Sequence, residues 1–265
     1  MIARIRALLS SRNTPGEPQR LEGENYVLAP RIERLAFVCG LHRSGTTLIE
    51  RVLVDRFEVA CLRADVPESE GQHMQSVYAP ARNFGGPGRF AFSQKIVDEA
   101  ERIGTGPDVQ DALLADWSRF VVGDAPVLVE KSPPNLVRIA WLRAVFPGSC
   151  FVIVVRDPRA VAAATQKWSG SSLPEMMMHW NAAHSRALDD FDPADCVVVR
   201  YEDFCADAET ELARIAGLAA LTPRTETSGV EHRFQAFRNS NADYITAHEG
   251  QIYGRAVWRE LGYDF

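Results

Sequence analysis

Eight residues, Gly-Leu-His-Arg-Ser-Gly-Thr-Thr at positions 40–47, constrain this chain more than any other feature of its sequence. The run before them, residues 35–39, is short, continuous and apolar, which predicts a strand buried on both faces. A helix is predicted to follow at residues 46–54. A tight loop between a buried strand and a helix presents backbone N–H groups and the positive end of the helix dipole to an anion. The sequence therefore predicts an anion site at the carboxyl edge of a parallel sheet.

The spacing of Gly40 and Gly45 fits the start of a nucleoside-triphosphate loop, which would continue with Lys and then Ser or Thr. Thr46 and Thr47 stand at those two positions, so the ammonium group that normally reaches the terminal phosphates is absent. Arg43, inside the loop, supplies positive charge instead. The loop therefore disfavours ATP as the ligand, although a glycine turn without function remains an alternative for this segment taken alone.

The same order of strand, loop and helix recurs along the chain and predicts the fold class. Further buried strands are predicted at residues 127–129, 150–155 and 197–199. Helices are predicted at residues 96–104, 108–121, 136–146 with Asn135 as N-cap, from 160 onwards, 173–191 and 208–217. Strands that alternate with helices indicate an α/β fold of three layers, with a mostly parallel central sheet flanked by helices.

Composition indicates one domain and excludes some classes of function. With 265 residues, 46% of them hydrophobic, residues 31–265 are expected to form a single domain behind a polar leader at residues 1–30. A net charge of −6 argues against a nucleic-acid partner. The sequence contains no run of about 18 apolar residues that would predict a transmembrane segment. Five cysteines without a CxxC pair predict reduced thiols, so a cytoplasmic location is expected. The oligomeric state cannot be predicted.

The loop at residues 40–47 resembles the 5'-phosphosulfate loop of sulfotransferases, particularly the branch with an Arg-Ser-Gly-Thr-Thr core that includes tyrosylprotein and many bacterial sulfotransferases. Residues 154–161, Val-Val-Arg-Asp-Pro-Arg-Ala-Val, resemble the 3'-phosphate element of the same family, again after a buried strand. The resemblance covers roughly residues 35–205. It implies a P-loop-like fold and transfer of a sulfuryl group from 3'-phosphoadenosine 5'-phosphosulfate to a hydroxyl acceptor, with adenosine 3',5'-bisphosphate as product and no required metal. His42 stands where the family usually has proline.

The resemblance also implies a set of donor-binding residues. The loop residues Arg43, Ser44, Gly45, Thr46 and Thr47 would hold the 5'-phosphosulfate. Arg156 would bind the 3'-phosphate, for which a guanidinium fork is suited, while Arg159 would be structural or lie nearby. The family commonly has a serine at the position of Ala164, so Thr165 is assigned in its place. Tyr201, in Tyr-Glu-Asp-Phe, is expected near the nucleotide. For Arg156, an ion pair with Asp157 or another carboxylate is the alternative.

Two charged residues are assigned to the transfer step together with Arg43. Lys131, after the strand at residues 127–129, is expected to stabilise the transferring group, with a solvated surface lysine as the alternative. For the general base the resemblance implies a glutamate downstream of the loop: Glu70 is the first choice, Glu68 the second and His73 the third. An ordinary exposed acidic loop is the alternative for Glu70.

The acceptor is predicted only as a class: the hydroxyl group of a small molecule, a glycan or a lipid. The glycine- and proline-rich residues 62–95 are expected to form its side of the site, and Arg233, Arg238 and residues 253–255 to close over the adenosine. His179 and His184 are expected to pack in a helix rather than to line this pocket. The alternative functions are a P-loop kinase or related phosphotransferase and a nucleotide-binding module without catalysis.

Overall fold

A computed structural model describes residues 17–226 and 237–265 of the chain. The described residues form one six-stranded sheet in the order β3-β2-β4-β1-β5-β6. Its strands are β1 Arg34–Gly40, β2 Ala60–Leu62, β3 Val121–Val122, β4 Val127–Lys131, β5 Cys150–Val155 and β6 Cys196–Arg200. All neighbouring strands are parallel except β2 and β3.

The described helices are α1 Thr46–Arg56, α2 Lys95–Ile103, α3 Pro107–Ser118, α4 Ile139–Val145, α5 Pro158–Ser169, α6 Leu173–Asp189, α7 Tyr201–Ala206, α8 Ala208–Ala219 and α9 Ala242–Ile245. Short 3₁₀ turns lie at Pro67–Ser69, Gly71–His73, Ala81–Phe84, Phe90–Phe92, Pro133–Val137, Thr246–His248 and Val257–Arg259. Helices and strands therefore alternate through most of the chain, as the sequence predicts.

The central strand β1 separates two hydrophobic layers. Leu35, Phe37 and Cys39 pack into the layer that contains α2 to α6, whereas Ala36 and Val38 pack into the layer that contains α1 and α8. This alternation is what a strand covered on both faces requires. The predicted α/β fold of three layers with a mostly parallel sheet is confirmed.

Three predictions about elements are wrong. Asn135 caps no helix: it lies in the 3₁₀ turn Pro133–Val137, and its side chain donates to Glu130 instead. The helix predicted at residues 108–121 ends at Ser118, because the chain turns into β3. Residues 201–206 form α7, a helix missing from those predicted between the strand at 197–199 and the helix at 208–217.

The described part of the predicted leader, residues 17–30, lies along the edge of the sheet. The side chain of Arg20 donates to the carbonyl oxygen of Arg119 at 2.7 Å, and Tyr26 forms a β-bridge with Val122. All five cysteines are free, and four of them are buried. Within the described residues, no helix has both the length and the apolar character needed to cross a bilayer.

Candidate active site

The carboxyl ends of three neighbouring strands bring the predicted site residues to one edge of the sheet. β1 leads into the loop at residues 40–47, β4 ends at Lys131, and β5 ends directly before Arg156. The register pairs Val38 with Lys131 and Gly40 with Val154, so Lys131 lies beside the loop as expected. A cavity of about 720 Å³ opens here. Several predicted site residues line it: Arg43, Gly45, Thr46, Thr47, Glu68, Glu70, His73, Arg156, Tyr201 and Arg238.

The loop is built around two glycines that have no room for a side chain. A Cβ atom on Gly40 would lie 2.6 Å from the carbonyl oxygen of Val154. A Cβ atom on Gly45 would lie 2.7 Å from Cδ2 of Tyr201, and the φ of 103° at Gly45 is a left-handed conformation that favours glycine. The Gly-x-x-x-x-Gly spacing is therefore required by the packing of this loop.

The N–H groups available to an anion come from the start of α1. The N–H groups of Thr46 and Thr47 have no intrahelical acceptor in the first turn, and both residues line the cavity. Ser44 differs from them, because its backbone N–H and its hydroxyl both donate to the carbonyl oxygen of Leu41, at 3.1 and 2.7 Å. Ser44 therefore closes the loop on itself instead of presenting its N–H group to the cavity.

Arg43 is the exposed cation of this loop. Its backbone is left-handed, with φ of 70°, and its guanidinium carbon lies 5.4 Å from the ring centroid of Trp168. The Trp168 side chain, about half exposed, lines the cavity beside Arg43. This cation–π contact holds the guanidinium at the cavity wall without burying its charge.

Arg156 is buried and joins the loop to the C-terminal segment. Its guanidinium donates from Nη1 to the carbonyl oxygen of Arg43 at 2.9 Å. It also donates from Nη2 to Oγ of Ser240 at 3.0 Å and from Nε to Oδ1 of Asn241 at 2.7 Å. The guanidinium carbon lies 4.4 Å from the ring centroid of Tyr201. The fork is thus held rigidly at the cavity.

Asp157, considered above as an ion-pair partner of Arg156, pairs with Arg159 instead. Asp157 binds Arg159 at 2.7 Å and caps α5, which gives Arg159 the structural role that was expected. Thr165 is buried outside the cavity lining, and its hydroxyl donates to the carbonyl oxygen of His42 at 3.3 Å. The Tyr201 hydroxyl donates to the carbonyl oxygen of Arg238 at 2.8 Å.

Lys131 and Glu70 form an ion pair beside the loop. Lys131 Nζ lies 3.3 Å from Oε1 of Glu70 and donates to the carbonyl oxygen of Glu68 at 3.0 Å. The Lys131 side chain is only 2% exposed, so the alternative of a solvated surface lysine is wrong. The Glu70 side chain is 8% exposed, which also excludes an ordinary exposed acidic loop. Glu68, in contrast, is exposed at the cavity wall.

Two further groups contact the Glu70 carboxylate. The side-chain amide of Gln72 donates to Oε2 of Glu70, and Nε2 of His73 lies 3.8 Å from the same oxygen. Burial lowers the pKa of His73 despite the attraction of Glu70. The three candidate bases thus share one wall, and Glu70 is the one fixed by hydrogen bonds to Lys131 and Gln72.

The remaining histidines have separate environments. His42 lines the cavity, and burial lowers its pKa to about 4. His179 and His184 are buried in α6: His179 accepts from the N–H group of Ala91 at 3.2 Å, and His184 stacks on Trp180 at 3.7 Å. The packing role predicted for the two α6 histidines is confirmed.

Several residues of the site were not predicted. Ser240, Trp168 and Gln72 line the cavity, and Asn241 holds the Arg156 fork. The sequence contains Gln72 within the acidic segment, but nothing in the pattern around Ser240 or Asn241 signals a contact with Arg156, which lies 84 and 85 residues earlier. Arg233 lies outside the described residues. Among residues 17–226 and 237–265, no cluster of three His, Cys, Asp or Glu side chains is arranged to hold a metal ion.

Comparisons with known proteins agree on one family. A family model described as "Sulfotransferase family" matches residues 36–223, which is more than half of the chain. Protein-tyrosine sulfotransferase A of Caenorhabditis elegans is 25% identical over 199 residues, covering 70% of this chain and 49% of that protein. A putative protein-tyrosine sulfotransferase of Caenorhabditis briggsae is 25% identical over 201 residues, covering 71% of this chain and 66% of that protein. The match therefore spans about half of the first relative and two thirds of the second.

Among solved structures, the chain is similar to a sulfotransferase domain from the curacin biosynthetic pathway. The TM-score is 0.50 at 16% sequence identity, and the match covers 90% of this chain and 99% of that domain. At this identity the likeness concerns the fold alone.

Proposed function

The chain belongs to the sulfotransferase family, and from its site we propose that it moves a sulfuryl group from 3'-phosphoadenosine 5'-phosphosulfate to a hydroxyl acceptor. One observation carries this proposal: a single cavity is lined by an anion-binding loop with Arg43 and, on another wall, by the buried carboxylate of Glu70. Transfer to a hydroxyl needs both, because the donor is anionic and the acceptor must lose a proton.

The donor's two anionic ends match two parts of the cavity. The N–H groups of Thr46 and Thr47, with the guanidinium of Arg43, would hold the 5'-phosphosulfate. Arg156 would bind the 3'-phosphate in exchange for part of its hydrogen bonds to Ser240 and Asn241. The ring of Tyr201, against Gly45, would lie beside the nucleotide. Ser44 would support the loop from within.

In the proposed reaction, the acceptor oxygen forms a bond to sulfur while the bond from sulfur to the bridging oxygen of the phosphosulfate breaks. The acceptor proton passes to the Glu70 carboxylate, and adenosine 3',5'-bisphosphate leaves with the bond's electron pair. Negative charge grows on the leaving phosphate, which Arg43 and the helix N–H groups would stabilise. Lys131, 3.3 Å from Glu70, would add positive charge between the phosphosulfate donor and the acceptor hydroxyl.

The acceptor would enter along the wall formed by residues 67–87, where Glu70, His73 and Arg82 line the cavity. Small-molecule, glycan and lipid hydroxyls are all candidates. Because the two curated relatives carry the name protein-tyrosine sulfotransferase, tyrosine peptides belong in the same acceptor set. We also propose a cytoplasmic location, since free buried cysteines fit a reducing compartment.

Calorimetry tests the donor. We expect adenosine 3',5'-bisphosphate to bind more tightly than ATP, with the same affinity in magnesium and in EDTA, because the loop has no lysine at position 46. Binding of ATP alone would support a phosphotransferase instead. Loss of bisphosphate binding in EDTA would show that a metal takes part.

A transfer assay with radiolabelled donor and a panel of hydroxyl acceptors tests the reaction. We expect Glu70→Gln to lower kcat by about 10²–10⁴, the usual contribution of a general base, with the Kd for adenosine 3',5'-bisphosphate unchanged. Glu68→Gln is the matched control, because Glu68 lines the same cavity but is exposed. A loss confined to Glu68→Gln would move the base to Glu68. Bisphosphate binding without transfer to any acceptor would leave a nucleotide-binding module.

A further inference from the structure

Glu130 is a buried carboxylate that the proposed chemistry does not use. It is the fourth residue of β4, directly before Lys131, and its exposure is 0%. It does not line the cavity. A carboxylate buried this deeply is unfavourable unless hydrogen bonds compensate for its lost hydration. Its hydrogen-bond partners therefore indicate what this carboxylate holds in place.

Three donors converge on this carboxylate from the loop that carries Glu70 and from the turn after β4. The backbone N–H of Gly71 donates to Oε1 at 3.0 Å, and the Ser132 hydroxyl donates to the same oxygen at 2.6 Å. The Asn135 side-chain amide donates to Oε2. Gly71 packs so closely on Glu130 that a Cβ atom there would overlap the carboxylate. The peptide that follows Glu70 is thus fixed directly on Glu130.

A second path leads from Glu130 to Glu70 through Ser132. The Ser132 hydroxyl, which donates to Glu130, accepts the backbone N–H of Gln72 at 3.0 Å. The Gln72 side chain then donates to Oε2 of Glu70, and its own oxygen accepts the N–H group of Ala81 at 2.8 Å. The two residues after Glu70 are therefore both held, and the second of them holds the carboxylate.

We propose that Glu130 is a positioning residue that fixes residues 70–72 and so aims the Glu70 carboxylate into the cavity. The inference rests on the proposed function, since it assigns Glu130 a role in the step that uses Glu70. Lys131, the next residue in the strand, holds the same loop through Glu68 and Glu70. Neighbouring residues of β4 thus anchor the loop, Glu130 as a hydrogen-bond acceptor and Lys131 as a donor.

Burial disfavours a charge on Glu130, whereas the hydrogen-bond donors around it favour one. Burial raises the pKa of Glu130 to about 7, and the hydrogen bonds from Ser132 and Asn135 and the charge of Lys131 oppose that rise. The three donors together suit an acceptor at this position. The Asn135 oxygen is buried without a partner in the described structure. In Glu130→Gln, rotation of the Asn135 amide would let that oxygen accept a hydrogen bond from the new side-chain amide.

Two substitutions of Glu130 distinguish its role as a hydrogen-bond acceptor from the effect of its negative charge. Glu130→Gln keeps an oxygen for Gly71 and Ser132, so we expect kcat to stay within about tenfold of wild type, less than the loss in Glu130→Ala. Glu130→Ala removes the acceptor and should lower kcat by about 10²-fold, the effect of a misplacement near 1 Å. The Kd for adenosine 3',5'-bisphosphate should stay unchanged in both. Glu211→Ala, which removes a buried carboxylate on α8, is the matched control.

A double-mutant cycle tests whether Glu130 acts through Glu70. In the Glu70→Gln background, Glu130→Ala should change kcat by no more than about twofold, because the group that it positions is already absent. A full additional loss of about 10²-fold in that background would overturn the proposal. If Glu130→Ala does not fold, Ser132→Ala breaks the second path alone and should still lower kcat with the donor Kd retained.

Amide hydrogen exchange gives a readout that needs no reaction. We expect the N–H groups of Gly71 and Gln72 to exchange slowly in wild type and in Glu130→Gln, and faster in Glu130→Ala. Unchanged exchange in Glu130→Ala would overturn the positioning role. If the wild-type protein transfers to no acceptor, the proposed function fails while exchange still decides whether Glu130 fixes this loop.

Discussion

Gly45 of the anion loop combines a left-handed backbone with close packing against a neighbouring ring. Its left-handed φ of 103° disfavours any side chain, and Tyr201 covers it. Gly148 has a similar φ of 83°, but a Cβ atom there would meet nothing within 4 Å. A side chain at either glycine would strain the backbone, but only a side chain at Gly45 would also overlap with a neighbour.

We expect Gly45→Ala to lower the free energy of unfolding by about 1–3 kcal/mol more than Gly148→Ala, since only the first adds overlap to strain. Urea denaturation of both variants measures the difference. The Kd for adenosine 3',5'-bisphosphate should rise only in Gly45→Ala. Equal effects of the two substitutions would mean that the loop and Tyr201 move apart without cost.

Arg156 is the second residue whose chemistry can be tested separately. A lysine keeps the charge but loses the fork and the stacking on Tyr201. We expect Arg156→Lys to weaken the binding of adenosine 3',5'-bisphosphate by about 1.5–3 kcal/mol, the range for hydrogen bonds to charged groups. The binding of adenosine 5'-phosphate should weaken much less. Calorimetry with both nucleotides measures this, with Arg159→Lys as the control. An equal loss for both nucleotides would place the 3'-phosphate elsewhere.

At the scale of single residues, the sequence predicts which side chains lie at the site better than it predicts the contacts that they make there. Lys131 and Arg156 could be placed because each lies at the carboxyl end of a buried strand, and parallel strands bring these ends together. The contact of Arg156 with Asn241 could not be predicted, because it joins residues 85 apart through a segment without a strong pattern. The roles of Ser44 and Glu130 likewise depend on hydrogen bonds that only the folded backbone defines.

At the scale of elements, long apolar strands were predictable and short ones were not. β1, β4, β5 and β6 have five to seven residues and each contains an uninterrupted apolar run, whereas β2 has three residues and β3 has two, too few to show a period. Residues 62–95, predicted as a loop, contain four 3₁₀ turns. Their position depends on partners such as Glu130 and His179, which lie far away in sequence.

The C-terminal segment is attached to the sheet through Glu202 of α7. One carboxylate oxygen accepts from the backbone N–H of Asp157 at 2.9 Å and from the side-chain amide of Asn241 at 2.6 Å. The other accepts from the Tyr263 hydroxyl at 2.8 Å. Glu202 therefore connects the Arg156 turn, the segment before α9 and the end of the chain.

We expect Glu202→Ala to release this segment, because three donors lose one acceptor at a cost of about 1–3 kcal/mol for each group left buried. Limited proteolysis should cut residues 237–265 faster while the sheet stays folded by circular dichroism. Glu209→Ala is the control, since Glu209 is exposed and pairs only with Arg56 among the contacts described. Unchanged proteolysis would show that apolar packing alone holds the segment.

At the scale of the whole molecule, buried neutral histidines make stability depend on pH. Burial lowers the pKa of His42 and of His184 to about 4, and that of His179 to about 3. In the unfolded chain a histidine takes up its proton near pH 6.5. Between pH 6.5 and about 4 the unfolded state therefore binds more protons, and the stability that these groups contribute at neutral pH is lost as the pH falls.

His184 gives the clearest test, because it is buried in α6 against Trp180 and lies outside the cavity lining. Each such histidine adds a slope of up to about 1.4 kcal/mol per pH unit to the free energy of unfolding. We expect His184→Phe to reduce the slope between pH 6 and pH 5 by about that amount, as measured by urea denaturation at both pH values. Ala187→Gly, on the same helix, should lower stability at both pH values and leave the slope unchanged. Glu130, whose raised pKa acts in the opposite direction, is present in all three proteins and cancels in the comparison. An unchanged slope in His184→Phe would mean that this histidine titrates alike in the folded and unfolded chain.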